Sequence, residues 1–168
     1  MRINSLSKIV LGCSMFYAVP VALFASANVD RQTNRSFLCD QIRSQAVSIE
    51  NDAGQLQVVM RNPVSNDWED DSNLLENVRD HVNKMNQLVS ELRAQEAQAS
   101  PSQQKAISEI VAPSIELAGT TQDAIVTLNH NQAEPRLTDL SGLENDIYHC
   151  ASRVDQAVKN FHKSVTGS

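Results

Sequence analysis

Apolar residues recur at alternating steps of three and four along separate stretches of the chain. The first stretch contains Cys39, Ile42, Ala46, Ile49, Ala53, Leu56 and Met60. The second contains Leu75, Val78, Val82, Met85, Val89 and Leu92. Because a helical turn takes 3.6 residues, each set falls on one stripe. The pattern predicts two amphipathic helices, the first ending before Pro63 and the second running to Ala97 from about Asn73 or from Trp68.

Two further stripes follow. The third contains Ile107, Val111, Ala118, Thr121, Ile125 and Leu128. Its helix is predicted to begin at Ser100-Pro101-Ser102-Gln103, where a Ser N-cap, a Pro at the first helical position and a Gln form a capping box. Pro113 interrupts this stripe, and because the periodicity continues on both sides we expect a kinked helix and not a helix end.

The fourth stripe is predicted to begin between Glu134 and Ser141. It contains Leu140, Leu143, Ile147, Cys150, Val154, Ala157 and Phe161. The four stripes need one shared core, and short connections favour antiparallel neighbours. The fold class is therefore predicted to be all-α, an up-down-up-down four-helix bundle.

The N-terminus has the features of an export signal. Arg2 and Lys8 precede an apolar run that ends in Ala25-Ser26-Ala27, the small-x-small pattern that a signal peptidase accepts. We expect residues 1–27 to be a signal peptide and residues 28–168 to form the bundle domain, exported to the periplasm or the extracellular space. An uncleaved membrane anchor and a lipoprotein cut before Cys13 are the alternatives.

The charge of the chain argues against two classes of partner. The full sequence carries a net charge of −6, and removal of the signal takes away two basic residues and no acidic ones. An acidic domain without a cluster of basic residues is a poor match for nucleic acid or for an anionic membrane surface. We expect no nucleic-acid partner and no stable membrane anchor after cleavage; a protein partner remains open.

Two cysteines, Cys39 and Cys150, remain after signal removal. Both lie on their apolar stripes, and an oxidising compartment favours pairing. We therefore predict a disulfide that joins the first helix to the fourth. Since the numbers of residues paired across antiparallel helices have a constant sum, this bridge would set Arg61 level with about His130.

Metal-binding residues are sparse. His81 and Met85 lie four positions apart on the second predicted helix, and with Met60 they are the candidate ligands for copper or haem. The competing interpretation is that the methionines are core residues. The acidic residues before the second helix do not match a calcium loop, because Ser72 and Val78 stand where such a loop requires Gly and Glu.

Several segments resemble a pattern found in uncharacterised exported helical proteins of bacteria. They are Trp68, Gln103-Gln104-Lys105-Ala106-Ile107, Pro113, and the stretch from Leu117-Ala118 to Leu128-Asn129. The resemblance implies the helical fold and export, and it implies no activity. The sequence contains no Gly-x-Ser-x-Gly motif and no Gly-rich phosphate loop. We expect a non-enzymatic protein, without a cofactor, that acts through its surface; the alternative is a periplasmic metal- or haem-binding bundle.

Overall fold

The computed structural model describes residues 22–60, 68–130 and 137–166. These residues form four long helices, and in the ranges described there is no β-strand. The helices are α1 (Ala22–Met60), α2 (Trp68–Ala94), α3 (Pro101–His130) and α4 (Leu137–Thr166). A single 3₁₀ turn, Glu96–Gln98, stands between α2 and α3. The prediction of an all-α fold is confirmed.

The helices form a closed ring in chain order. Each helix packs against the next, and α4 returns to pack against α1, whereas the diagonal pairs make no close backbone contacts across the described residues. Ion pairs show that α1 and α4 are antiparallel, because Asp40 pairs with His162 and Arg43, further along α1, pairs with Asp155, earlier in α4. The up-down-up-down four-helix bundle is confirmed.

The core follows three of the four predicted stripes closely. In α1, α2 and α4 nearly every stripe residue is buried; Leu143 is half-buried and packs against the core. The side chain of Met60 lies outside the described residues. These stripes hold the bundle together because burial of a large aliphatic side chain contributes about 1.5–3 kcal/mol.

The stripe predicted for α3 is displaced by one residue in three of its turns. Val111, Ala118 and Ile125 lie only at the edge of the core. The buried positions of α3 are Gln103, Ala106, Ile107, Ile110, Pro113, Ser114, Leu117, Thr121, Ala124 and Leu128. Two of these buried residues carry a hydroxyl, and each satisfies it within the helix: Ser114 donates to the Ile110 carbonyl at 2.8 Å and Thr121 to the Leu117 carbonyl at 2.8 Å.

The start of α3 and its passage through Pro113 agree with the sequence. The Gln103 N–H donates to Ser100 Oγ at 3.4 Å, and the Ser100 N–H donates to Gln103 Oε1 at 3.3 Å, so the capping box is formed. Pro113 is buried inside the helix, which continues to His130. The prediction that Pro113 does not end the helix is confirmed.

The structure does not contain the predicted disulfide. Cys39 and Cys150 are both free and buried. The ion pairs between α1 and α4 set Cys39 level with about Phe161, so Cys150 lies about eleven residues earlier in α4, roughly 16 Å away at 1.5 Å per residue. A bridge needs Cα atoms about 4.4–6.8 Å apart. The pairing of α1 with α4 was therefore correct, and the predicted register was wrong.

The predicted processing site lies in the first turns of α1. The helix begins at Ala22, before the small residues Ala25 and Ala27. Most of the predicted signal peptide, residues 1–21, lies outside the described residues, as do Arg61 and Pro63. Signal cleavage stays a prediction.

Candidate functional site

His81 and Met85, the two candidate metal ligands whose side chains the structure describes, lie in different surroundings. His81 lies between α1 and α2, where its Nδ1 donates to Gln45 Oε1 at 2.8 Å and its Nε2 is 3.7 Å from Asp52 Oδ2. Met85 is fully buried in the core. His81 thus uses both ring nitrogens toward α1, while Met85 packs among apolar side chains.

Asp52 supplies a carboxylate beside His81. Burial raises its pKa and the nearby His81 lowers it, and its Oδ2 is buried without a hydrogen-bond partner. Among the described residues no group of three or more His, Cys, Asp or Glu side chains is arranged to hold a metal ion. The metal or haem hypothesis for Met60, His81 and Met85 stays a prediction, with His81 and Asp52 as the two donors that the described residues bring close.

The remaining histidines serve helix contacts or face solvent. His162 Nε2 lies 3.0 Å from Asp40 Oδ1 across the interface of α1 and α4. His130 Nδ1 donates to the Val126 carbonyl at 2.7 Å, one turn earlier in its own helix, and His149 is exposed.

The two cysteines lack the features of reactive thiols. Burial, with a smaller contribution from Asp40, raises the pKa of Cys39 to about 12. Burial and the nearby Glu116 raise the pKa of Cys150. Because the thiolate is the nucleophile, both side chains are poorly suited to covalent catalysis at neutral pH.

A polar cluster lies at the interface of α1 and α4. Asp155 is its centre: Arg43 Nε donates to Asp155 Oδ1 at 2.8 Å, and Lys159 forms a second ion pair with the same carboxylate. Burial raises the pKa of Asp155, but the hydrogen bonds from Lys159 and Arg43 outweigh burial and hold that pKa below its ordinary value. The negative charge of Asp155 is therefore balanced by two cationic side chains.

Glu50, beside this cluster, is poorly satisfied. Burial raises its pKa and the neighbouring Asp155 raises it further, against smaller opposing effects of Ser152 and Lys159. Its Oε1 atom is buried and has no hydrogen-bond partner. Since Arg43 and Lys159 both bind Asp155, Glu50 keeps a carboxylate oxygen that would gain from an additional donor.

A wide groove of about 640 Å³ opens at Glu50. Its wall is mainly apolar and comes from α1 and one residue of α4; the lining residues are Glu50, Asn51, Gly54, Gln55, Val58, Val59 and Tyr148. We call it the α1–α4 groove. Val58 is 69% exposed and Tyr148 is 38% exposed, so two large apolar side chains face solvent here.

Gly54 leaves the middle of the α1–α4 groove open. A Cβ atom added at this position would meet nothing within 4 Å. The residue therefore offers a place where a side chain can be added into the groove without disturbing the core.

Two other grooves among the described residues are smaller and more polar. The groove between α1 and α2 holds about 410 Å³ and is lined by Gln41, Ser44, Gln45, Lys84, Gln87, Leu88 and Glu91. The groove beside Pro113, between α3 and α4, holds about 350 Å³ and is lined by Glu109, Ala112, Pro113, Arg153, Gln156, Ala157 and Asn160. Neither contains a large apolar side chain that is exposed.

The sequence contained one signal for the α1–α4 groove. Val58 and Tyr148 are large apolar residues that do not lie on the buried stripes of their helices, and both are exposed. An apolar residue off the stripe indicates a surface that something covers, although single residues of this kind are also common on ordinary surfaces. Glu50 and Gly54 carry no such signal, since their roles depend on neighbours in α4.

Comparison with known proteins gives no guide to the function of this chain, so the function is proposed from the α1–α4 groove. Across the described residues, no helix combines the length and the apolar character that crossing a membrane requires. No family model, curated protein or solved structure matches this chain.

Proposed function

We propose that this chain is an exported, non-enzymatic protein that acts by binding a protein partner in the α1–α4 groove. The observation that carries the proposal is the exposure of Val58 and Tyr148 on the two sides of an open, mainly apolar groove. Burying such surface against a partner contributes roughly 25 cal/mol per Å². The exposure of these two side chains to water contributes nothing to the stability of the bundle itself.

Export is the second part of the proposal. It is supported by the basic residues, the apolar run and the Ala25-Ser26-Ala27 site at the N-terminus. Intact mass of the exported protein tests it, with Asn28 as the expected first residue. A mass that retains residues 1–27, or lipid on Cys13, would contradict it.

Site-specific photo-crosslinking tests the binding proposal. A photoreactive amino acid is placed at Val58 in one variant and at Ile115 in another, and the cells that export the protein are irradiated. Ile115 is the matched control, because it is an aliphatic residue of α3 with 63% of its surface exposed and it lies outside the groove. We expect a discrete protein adduct from position 58 and none of the same mass from position 115.

The proposal fails if position 58 yields no adduct under conditions where the variant is folded and exported. It also fails if positions 58 and 115 yield the same set of adducts, because that result indicates random encounters. A melting curve of each variant checks the fold.

A further inference from the structure

We propose that the occupant of the α1–α4 groove is an amphipathic helix that sets a lysine or arginine beside Glu50 and apolar side chains against Val58 and Tyr148. This inference rests on the proposed function and adds the chemistry of the partner. Three features of the groove lead to it: its polarity along α1, its length and its charge.

The groove has one acidic end and one apolar end. Glu50 lies at the first, and Val58 and Val59 lie two turns further along α1 at the second, with Gly54 between them. A ligand that only matched the apolar end would cover the half-buried Glu50 carboxylate without supplying a counter-charge. A ligand with a cation at the other end satisfies both.

The length of the groove suits a short helix. Glu50 and Val58 are eight residues apart in α1, which is roughly 12 Å at 1.5 Å per residue. On a partner helix the same distance separates positions i and i+7 or i+8, which lie on one face. The expected recognition element is therefore a basic residue with apolar residues about one and two turns away from it.

The charge of the chain points the same way. The sequence carries a net charge of −6. The basic side chains nearest to the acidic end, Arg43 and Lys159, are already bound to Asp155. A basic partner segment is attracted by this surface, whereas an acidic segment, or a second copy of this chain, is repelled.

Three synthetic helical peptides of 18 residues test the inference. The first carries leucines on one face and lysines on its flanks, the second replaces every lysine by glutamate, and the third keeps the lysines and replaces the leucines by serine. Binding of each labelled peptide to the full protein is measured by fluorescence anisotropy. We expect the leucine–lysine peptide to bind more tightly than either of the others by about tenfold or more, with an affinity that falls as salt is added.

Two variants and one control variant locate the binding. Gly54→Leu fills the groove, and Gly119→Leu is its matched control, because an added Cβ at Gly119 in α3 also meets nothing within 4 Å. Gly54→Leu should weaken the leucine–lysine peptide by about tenfold or more, and Gly119→Leu should leave it unchanged. Glu50→Gln removes the charge, and the preference for lysine over glutamate peptide should fall by about tenfold.

The possible failures are distinguishable. If Gly54→Leu weakens peptide binding but Glu50→Gln does not alter the preference for the lysine peptide, the groove binds a partner. In that case the inference that the partner places a basic residue beside Glu50 is wrong. If no peptide binds, or if binding ignores Gly54→Leu, the inference is overturned whatever the crosslinking at position 58 shows. Crosslinking that also fails overturns the proposed function as well.

Discussion

At the scale of single residues, two carboxylates at the interface of α1 and α4, Asp155 and Glu50, differ in how well their oxygens are paired. Asp155 receives two cationic donors, and its pKa is held low. Glu50, on the facing helix, keeps an oxygen without a donor, and its pKa is raised by burial and by Asp155. The first carboxylate stabilises the interface of α1 and α4, and the second weakens it at neutral pH.

Glu50→Gln should therefore increase the free energy of unfolding at pH 7, by about 0.5–1 kcal/mol. The amide is isosteric, it needs no counter-ion, and it removes repulsion from Asp155. Asp155→Asn is the matched control and should lower the stability by about 1.5–3 kcal/mol, because it disrupts charged hydrogen bonds. Urea unfolding of both variants at pH 7 measures the difference; a loss of stability in Glu50→Gln would show that its carboxylate is satisfied.

At the scale of elements, α3 shows how a helix accommodates proline when packing requires it. Pro113 lacks the N–H that would donate to the Glu109 carbonyl, yet α3 runs unbroken from Pro101 to His130. The neighbouring Ser114 is buried and donates to the Ile110 carbonyl, so the polar atoms around the proline are largely satisfied within the helix.

Pro113→Ala should leave the bundle folded and increase its stability by about 1 kcal/mol. Alanine is better than proline in a helix interior by about 3 kcal/mol, while the loss of two buried methylenes costs about 0.8 kcal/mol each. Thermal unfolding followed by circular dichroism measures the change. If Pro113→Ala unfolds the domain, the shape that proline imposes is required for packing.

The cysteines provide a test of helix register. With Cys39 and Cys150 buried and far apart along the bundle, both thiols should resist alkylation in the folded exported protein and react once it is unfolded. Mass spectrometry before and after reduction should show no change. A gain of two mass units on reduction would indicate a bridge and a register different from the one that the ion pairs define.

Helix order and most of the core were predictable from sequence because they depend on local periodicity. Register was not, because the pairing of Arg43 with Asp155 and of Asp40 with His162 is a property of two helices together. The slip in α3 has another cause: Ile110 and Val111 are adjacent apolar residues, and hydropathy alone does not decide which of them faces the core. Hydropathy also does not reveal that the buried Ser114 bonds its hydroxyl to its own helix. The α1–α4 groove was not predictable because it also depends on how two helices pair: Tyr148 lines it from α4 and the other lining residues come from α1.

At the scale of the whole molecule, three buried or half-buried carboxylates set the response of stability to pH. Glu50 and Asp52 have pKa values raised above their ordinary 4.5 and 3.8, so the folded state binds more protons than the unfolded state at mildly acid pH. Their contribution is favourable at low pH and is lost as pH rises through the folded pKa values. Asp155, with a lowered pKa, contributes above about pH 4 and loses its contribution below that.

The melting temperature should therefore rise as pH falls from neutral toward about 4.5, the ordinary pKa of Glu, and should fall again below about 4. Falling net negative charge acts in the same direction on the first limb. The double variant Glu50→Gln, Asp52→Asn should flatten the first limb, and Asp155→Asn should flatten the second. A melting temperature that declines steadily from neutral pH to about pH 4.5 would contradict the assignment.

The central claim is that a partner occupies the α1–α4 groove. The most direct measurement is the dissociation constant of the partner recovered by crosslinking at Val58, determined for the unmodified protein, for Gly54→Leu and for Gly119→Leu. Blocking the groove should weaken binding by about tenfold or more, and the equivalent change on α3 should have no effect. Equal affinities for all three proteins would contradict the claim.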